Sequence, residues 1–218
     1  MEYAAVLVAV LAAAPLALLA QHLAGQMIVS ERAEWAFQGQ QIRQVNRRPH
    51  PVLMGAILGL TLGAAAWRLG FGLQLVLAVA FIVGLAILAS VDFQILLLPD
   101  AGTQPLLWAG VMAGAAGVFL EPAAAILGAA TGYGLVWVVH YFGRILSGSS
   151  GMGMGDAKLL AAIGAWTGYQ AAIQTLALAM VTTAVFGLLA GRHRGEPYPI
   201  GPWLAIAGVA LFLTGGTL

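Results

Sequence analysis

Apolar stretches long enough to cross a membrane recur along the whole of this 218-residue chain. A helix needs about 20 predominantly apolar residues to cross the hydrocarbon core of a bilayer. Charged residues make up only 8% of the chain and hydrophobic residues 61%, whereas soluble proteins carry about 25% charged residues. The pattern excludes a soluble domain with a single anchor, and it lacks the alternation of an outer-membrane barrel. The sequence therefore predicts an all-α fold, a polytopic transmembrane helical bundle that forms a single integral membrane domain over residues 1–218.

The apolar stretches divide the chain into about eight segments. We predict helices at residues 3–24, 51–67, 73–91, 103–120, 123–142, 157–170, 171–190 and 200–217. Segment 157–170 has only fourteen residues, so we expect it to extend upstream or to lie tilted among neighbouring helices. The first stretch is long enough to span and has no basic segment before it, which indicates a retained helix rather than a cleaved signal peptide.

The basic residues predict the orientation of the bundle. If the amino terminus lies outside, eight of the nine basic residues fall on the cytoplasmic side and only Arg68 lies outside, as the positive-inside bias requires. An even number of helices then places both termini outside. Three cytoplasmic regions result, residues 25–50, 92–102 and 143–156, of which the first is a short basic segment. We expect function at the cytoplasmic face because the outer connections are short.

The composition argues against several chemistries. The absence of cysteine excludes disulfides, thiolate metal sites and cysteine nucleophiles. The four histidines are scattered over separate segments without the paired spacing of a metal site, so we predict no bound metal. A net charge of +1 gives no support for nucleic-acid binding. The basic cluster at residues 43–48 is most simply an orientation signal beside anionic membrane lipid.

Three of the eight acidic residues stand out, Asp92, Asp100 and Asp156. The other five lie at outer ends or in polar cytoplasmic segments, where water can solvate them. Asp92 ends a long apolar run and is followed by more apolar residues, so an ionisable group stays near the membrane boundary, which indicates function. Pro99 interrupts regular helix, and we interpret Asp100 first as the cap of the next helix.

Asp156 follows "GMGMG", in which Gly151, Gly153 and Gly155 alternate. Glycine permits close backbone approach, so this stretch can be extended and lead into a helix. Taken alone, Asp156 would be a helix cap behind a glycine-rich loop. A phosphate-binding loop is disfavoured because the Walker spacing is absent.

Asp92 and Asp156 together suggest chemistry that neither suggests alone. Both are predicted at the cytoplasmic ends of different helices, and a bundle can bring such ends together. Two neighbouring carboxylates cannot both ionise readily, so one becomes an acid and the other a base. With a water between them, such a pair can hydrolyse a peptide bond. A proton-coupled transporter that uses the same two aspartates as a relay is the alternative.

Three stretches over roughly residues 73–218 form a recognisable set, namely "DFQILLLPD", "GMGDAKLLAAIGAW" and "YPIGPWLAIAG". In their order and spacing they resemble elements of the type IV prepilin peptidase (leader peptidase) family, bacterial membrane aspartic proteases with a GxGD motif. The resemblance identifies residues 73–218 as an aspartic peptidase-like core. It implies a multi-pass protein of the bacterial cytoplasmic (inner) membrane, with the active site facing the cytoplasm.

The resemblance also implies residue roles and a substrate. The catalytic pair would be Asp92 and Asp156. Substrate binding or loop support would fall to Gly153, Gly155, Lys158 and Asp100. The expected partner is a type IV prepilin or pseudopilin, cut after a glycine behind its basic leader. Proteolysis needs no cofactor, whereas methylation of the new amino terminus, which many members perform, uses S-adenosylmethionine. A snorkelling interfacial charge is the alternative for Lys158.

The first third of the chain departs from the family pattern. Many members carry a zinc-binding domain with paired CxxC motifs, which a chain without cysteine excludes. The glutamate of a "PxVE" element is also missing from "HPVLMG". We therefore interpret the chain as a short member in which methyltransferase activity stays open. A presenilin-type protease is disfavoured because the "YD" and "PAL" patterns are absent, and an inactive assembly platform because both acids are present.

Overall fold

The computed structural model describes residues 2–38, 49–147, 152–189 and 198–215. Within those ranges the chain forms eight α-helices and no strand. The helices are α1 (Glu2–Phe37), α2 (Pro51–Leu69), α3 (Leu73–Ile95), α4 (Asp100–Ala115), α5 (Pro122–Ser147), α6 (Met154–Thr167), α7 (Tyr169–Leu189) and α8 (Gly201–Thr214). The prediction of an all-α helical bundle is confirmed.

Five of these helices are long and apolar enough to cross a membrane, namely α1, α2, α3, α5 and α7. Helix α8 is also apolar but shorter. Large apolar side chains such as Leu11, Leu60 and Leu188 are exposed on the helix surfaces, as expected where helices face lipid tails. The chain is therefore a multi-pass membrane protein. Its orientation stays a prediction.

The chain divides into two compact units, Met1–Gly102 and Thr103–Leu218. The first contains α1, α2 and α3 together with the first residues of α4, and the second contains the rest of α4 and α5 to α8. The grouping into a single integral membrane domain stays a prediction.

In the first unit, α1 packs against α2 and α3 through small side chains. The buried face of α1 repeats every three or four residues, as one face of a helix requires, and consists of Ala5, Ala9, Ala13, Ala17, Ala20, Ala24 and Ile28. Small residues allow helix backbones to approach closely in a membrane. We predicted that the first helix ends at residue 24, but α1 continues to Phe37. The buried face extends past residue 24, and no glycine or proline interrupts residues 26–38.

In the second unit, α6 is packed among α5, α7 and α8. Every residue from Leu159 to Trp166 is buried. The indole Nε1–H of Trp166 donates to the backbone carbonyl of Leu106 in α4 at 2.8 Å. Because protein surrounds it, α6 does not need the length of a membrane span. The helix starts at Met154 instead of residue 157, and it ends before Gly168, whose φ of 86° breaks the helix.

Helices α5 and α6 approach so closely that their backbones touch at glycine positions. A Cβ atom on Gly128 would collide with the backbone carbonyl of Gly164. A Cβ atom on Gly132 would collide with the carbonyl of Leu160. The absence of side chains at these points brings the α5 backbone onto α6, the helix that begins next to Asp156.

Candidate active site

Of the acidic side chains that the structure describes, two are buried. Asp92 is 5% exposed and Asp156 is 8% exposed, whereas Asp100 and Glu121 are exposed. Burial of an ionisable group is unfavourable unless other groups compensate for the lost water. Buried ionisable groups are frequent at functional sites, because burial shifts their pKa values to those that catalysis requires.

Asp92 lies in the last turn of α3, in the first unit. Leu96 ends this helix in the left-handed conformation, with φ 56° and ψ 33°, and its N–H donates to the Asp92 carbonyl at 2.9 Å. A non-glycine residue is disfavoured there by about 1 kcal/mol because its Cβ crowds the backbone. Strain of this kind is frequent beside functional groups. Leu96 follows Asp92 by one helical turn, and its left-handed conformation redirects the chain before Pro99.

An apolar seam between α1 and α3 packs beside Asp92. We call it the α1–α3 seam, and it consists of the buried side chains Ala24 and Ile28 of α1 with Val91 and Ile95 of α3. Val91 directly precedes Asp92 and is fully buried. Helix α1 therefore shields the part of α3 that carries the carboxylate.

Asp156 lies in the first turn of α6, in the second unit. Its Oδ2 accepts the backbone N–H of Gly153 at 2.8 Å, and its own N–H donates to the Gly153 carbonyl at 3.1 Å. Gly153 is extended, with φ −86° and ψ 161°, and stands at the N-cap of the helix. Asp156 thus caps its helix. A carboxylate has two acceptor oxygens, so capping through Oδ2 and chemistry through Oδ1 are compatible.

Burial raises the pKa of Asp156 from 3.8 to about 6, although the hydrogen bond from the Gly153 N–H acts in the opposite direction. Asp156 lies in α6, which is not among the five candidate membrane spans. A carboxyl group with this pKa gains and loses its proton close to neutral pH, as a general acid or base must.

We expect the Asp156→Asn variant to be more stable than the parent protein at pH 8, by on the order of 3 kcal/mol. Folding raises this pKa, so the folded chain binds more protons than the unfolded chain between pH 3.8 and about 6. The contribution of Asp156 to stability is therefore fully present below pH 3.8 and is lost as the pH rises through about 6. Unfolding in detergent across this range measures the difference, and a difference that does not change with pH would contradict the assignment.

The other predicted residues of the glycine-rich loop lie close to Asp156 along the chain. Gly155 and Lys158 are half-buried in the first turns of α6. Lys158 is two residues after Asp156, and side chains at that spacing do not share a helix face. Of these residues, the structure brings Gly153 into contact with Asp156, through the hydrogen bond from the Gly153 N–H to Oδ2.

The predicted residues of the first unit have different surroundings. Asp100 is exposed and begins α4. Asp92 is buried at the end of α3. Because Asp92 and Asp156 belong to different units, their pairing stays a prediction.

His140 is a residue of this site that sequence reasoning missed. It is half-buried near the end of α5, and its Nδ1 lies 2.8 Å from the backbone carbonyl oxygen of Met152, just before Gly153. An ionisable side chain within a candidate membrane helix indicates function by default, and this rule, which selected Asp92, would also have selected His140. In the ranges that the structure covers, no three histidine or acidic side chains lie close enough to hold a metal ion.

Comparison with known proteins shows the family to which the chain belongs. A model described as the type IV leader peptidase family matches residues 79–188, about half of the chain. The matched segment includes Asp92, His140 and Asp156. The chain belongs to the type IV leader peptidase family. The resemblance identified from the sequence motifs is thereby confirmed.

Curated relatives in the type IV leader peptidase family are named Prepilin leader peptidase/N-methyltransferase. The protein of Xanthomonas campestris pv. campestris is 39% identical over 159 residues, which cover 71% of this chain and 55% of the relative. The Aeromonas salmonicida protein is 38% identical over 176 residues, covering 79% and 60%. The Burkholderia pseudomallei protein is 43% identical over 132 residues, covering 59% and 43%. This leader peptidase family member thus spans 43–60% of the length of these relatives. No solved structure matched the chain.

Proposed function

We propose that this chain is an aspartic endopeptidase that cleaves the basic leader of type IV prepilins or pseudopilins at the cytoplasmic face of the bacterial inner membrane. One observation supports the proposal most strongly. Among the described acidic side chains, the two buried ones, Asp92 and Asp156, are also the two to which the family resemblance assigns catalysis. Burial and motif position are independent properties, and they select the same pair.

Two aspartates are sufficient for peptide hydrolysis by a water molecule. In the proposed mechanism, the ionised carboxylate takes a proton from the water while the protonated carboxyl group donates a hydrogen bond to the scissile carbonyl. The water oxygen then bonds to the carbonyl carbon, and the amide nitrogen leaves with a proton that a carboxyl group supplies. The pKa of about 6 at Asp156 supports this role, because a group that exchanges its proton near neutral pH can act in both steps.

The charge distribution supports the cytoplasmic placement. Arg144 lies in the last turn of α5, and the His140–Met152 hydrogen bond holds the α5 segment just before it against Met152, four residues before Asp156. Basic residues at helix ends are enriched on the cytoplasmic side of membranes. The Asp156 end of the second unit is therefore proposed to face the cytoplasm, where a prepilin carries its basic leader.

Methylation of the product is a separate part of the proposal. The names of the relatives include N-methyltransferase activity. We assign no described residue of this chain to S-adenosylmethionine, and the proposed proteolysis proceeds without a cofactor.

Purified protein in detergent is expected to cut a candidate prepilin once, between its basic leader and its hydrophobic helix. Mass spectrometry of the products reports the cut site, and a parallel reaction with S-adenosylmethionine reports any methyl group on the new amino terminus. The matched control is the same prepilin with the basic residues of its leader neutralised. An intact prepilin would contradict the proposal, and a cut deep within the hydrophobic helix would favour a presenilin-type enzyme instead.

A further inference from the structure

One peptide group links His140 to Asp156. The carbonyl of Met152 and the N–H of Gly153 belong to the same planar peptide unit. The carbonyl oxygen lies 2.8 Å from His140 Nδ1, and the N–H donates to Asp156 Oδ2 at 2.8 Å. A histidine of α5 and the buried carboxylate of α6 thus hold opposite ends of a single peptide group.

The direction of the first hydrogen bond follows from its acceptor. A carbonyl oxygen has no hydrogen to donate, so His140 Nδ1 carries the hydrogen and donates it to Met152. The neutral ring therefore has Nε2 as its acceptor nitrogen, and the charged ring keeps the same bond to Met152. The link to the peptide group is present in both protonation states of His140.

We propose that His140 is a positioning residue for Asp156, acting through the Met152–Gly153 peptide group. The inference rests on the proposed function, in which Asp156 is a catalytic acid or base. A donor on the carbonyl polarises the peptide unit and strengthens the hydrogen bond that its N–H makes, because hydrogen bonds in a chain reinforce one another. The same donor fixes the plane of the peptide, and with it the direction from which the Gly153 N–H reaches the carboxylate.

Few other side chains that carry charge near neutral pH lie on the helices that pack against α6. Helices α7 and α8 contain no aspartate, glutamate, lysine, arginine or histidine. Helix α5 carries His140 and Arg144, and α6 itself carries Lys158. The side chain of Met152 is 4% exposed, so the peptide group between this anchored residue and Gly153 lies at the edge of the packed interior.

The test compares His140→Leu, which removes the donor, with His140→Asn, whose amide nitrogen can occupy the place of Nδ1. We expect His140→Leu to lower the rate of prepilin cleavage about tenfold, the size of effect that follows from losing one hydrogen bond. The pKa of Asp156 rises when the Gly153 N–H bond weakens, so the limb of the pH–rate profile that Asp156 controls is expected to move to higher pH by about half a unit. His140→Asn should restore most of both quantities. Tyr141→Phe, a change at the exposed neighbouring residue, is the control and should alter neither.

A second measurement separates this inference from the proposed function. The pH dependence of the unfolding free energy needs no substrate, and between His140→Leu and His140→Asn, which both lack the imidazole, a difference in it reports the ionisation of Asp156. If the parent protein cuts no prepilin, the proposed function fails, and a difference between the unfolding profiles of these two variants still supports the link. If the parent protein is active and the Leu and Asn variants share the same rate and unfolding profiles, the positioning role is wrong. Should His140→Leu fail to fold, His140→Gln replaces it. The amide of glutamine lies one methylene farther from the backbone than that of asparagine, so it does not occupy the place of Nδ1. Equal profiles for the Gln and Asn variants would also overturn the inference.

Discussion

Replacing Asp156 or Asp92 by asparagine is expected to abolish prepilin cleavage, with a loss of rate of at least about a thousandfold. An amide can neither accept the proton of the attacking water nor supply one to the leaving nitrogen. Asparagine keeps the shape of aspartate, and at position 156 its Oδ1 can still accept the Gly153 N–H that caps α6. The loss should therefore concern the chemistry and leave the helices in place. The rate of leader release, measured against the amount of enzyme in the membrane, checks the prediction.

Glu121→Gln is the matched control for these two variants. Glu121 is exposed between α4 and α5, so the same change from acid to amide is expected to leave cleavage at the parent rate. Full activity in either aspartate variant would remove that residue from the catalytic pair. Activity retained in both would exclude an aspartic mechanism for this chain.

Gly128→Ala is expected to destabilise the second unit severely, by about 3 kcal/mol. The added methyl group would meet the backbone carbonyl of Gly164 at the contact of α5 with α6. A backbone atom cannot rotate away as the end of a side chain can, so the two helices would have to separate. Separation exposes buried residues of α6 and moves the helix that begins next to Asp156. Thermal unfolding in detergent and the yield of folded protein measure the effect.

Gly134→Ala tests whether the effect of Gly128→Ala comes from the contact or from the change of residue. Gly134 is in the same helix, and a Cβ atom there would have no neighbour within 4 Å. Alanine favours helix over glycine by about 1 kcal/mol, so this variant is expected to be as stable as the parent or slightly more so. Equal stability of the two variants would contradict the close packing of α5 on α6.

The helical bundle could be predicted from the sequence because the spacing of long apolar stretches is a property of the chain itself. Helix boundaries depend on tertiary packing and were predicted less well. We predicted a fourth helix over residues 103–120, but α4 runs from Asp100 to Ala115, and Gly117 adopts a φ of 65° soon after its end. The glycine contact of α5 with α6 could not be predicted, because the sequence does not show which helices are neighbours.

Within the candidate site, the rarity of charge selected Asp92 and Asp156 from the sequence, and both are buried in the structure. The hydrogen bond of His140 to Met152 was not predicted, because it joins residues twelve apart in the sequence and no local pattern encodes such a contact. At Gly153 the expectation of an extended conformation that leads into a helix is confirmed, with φ −86° and ψ 161°. Close backbone approach does not explain the glycine there, because a Cβ atom would meet Asp156 at an ordinary 3.7 Å.

The α1–α3 seam has a consequence for anyone who shortens or re-engineers this protein. The segment shared with the family model starts at residue 79, so α1 lies wholly outside it. Yet Ala24 and Ile28 of α1 cover Val91 and Ile95, the apolar neighbours of Asp92. A fragment cut to the shared segment would keep Asp92 and Asp156 but leave the Asp92 end of α3 without that cover. Minimal enzymes and fusions therefore need to retain the amino-terminal helix, even though it contains none of the family's signature motifs.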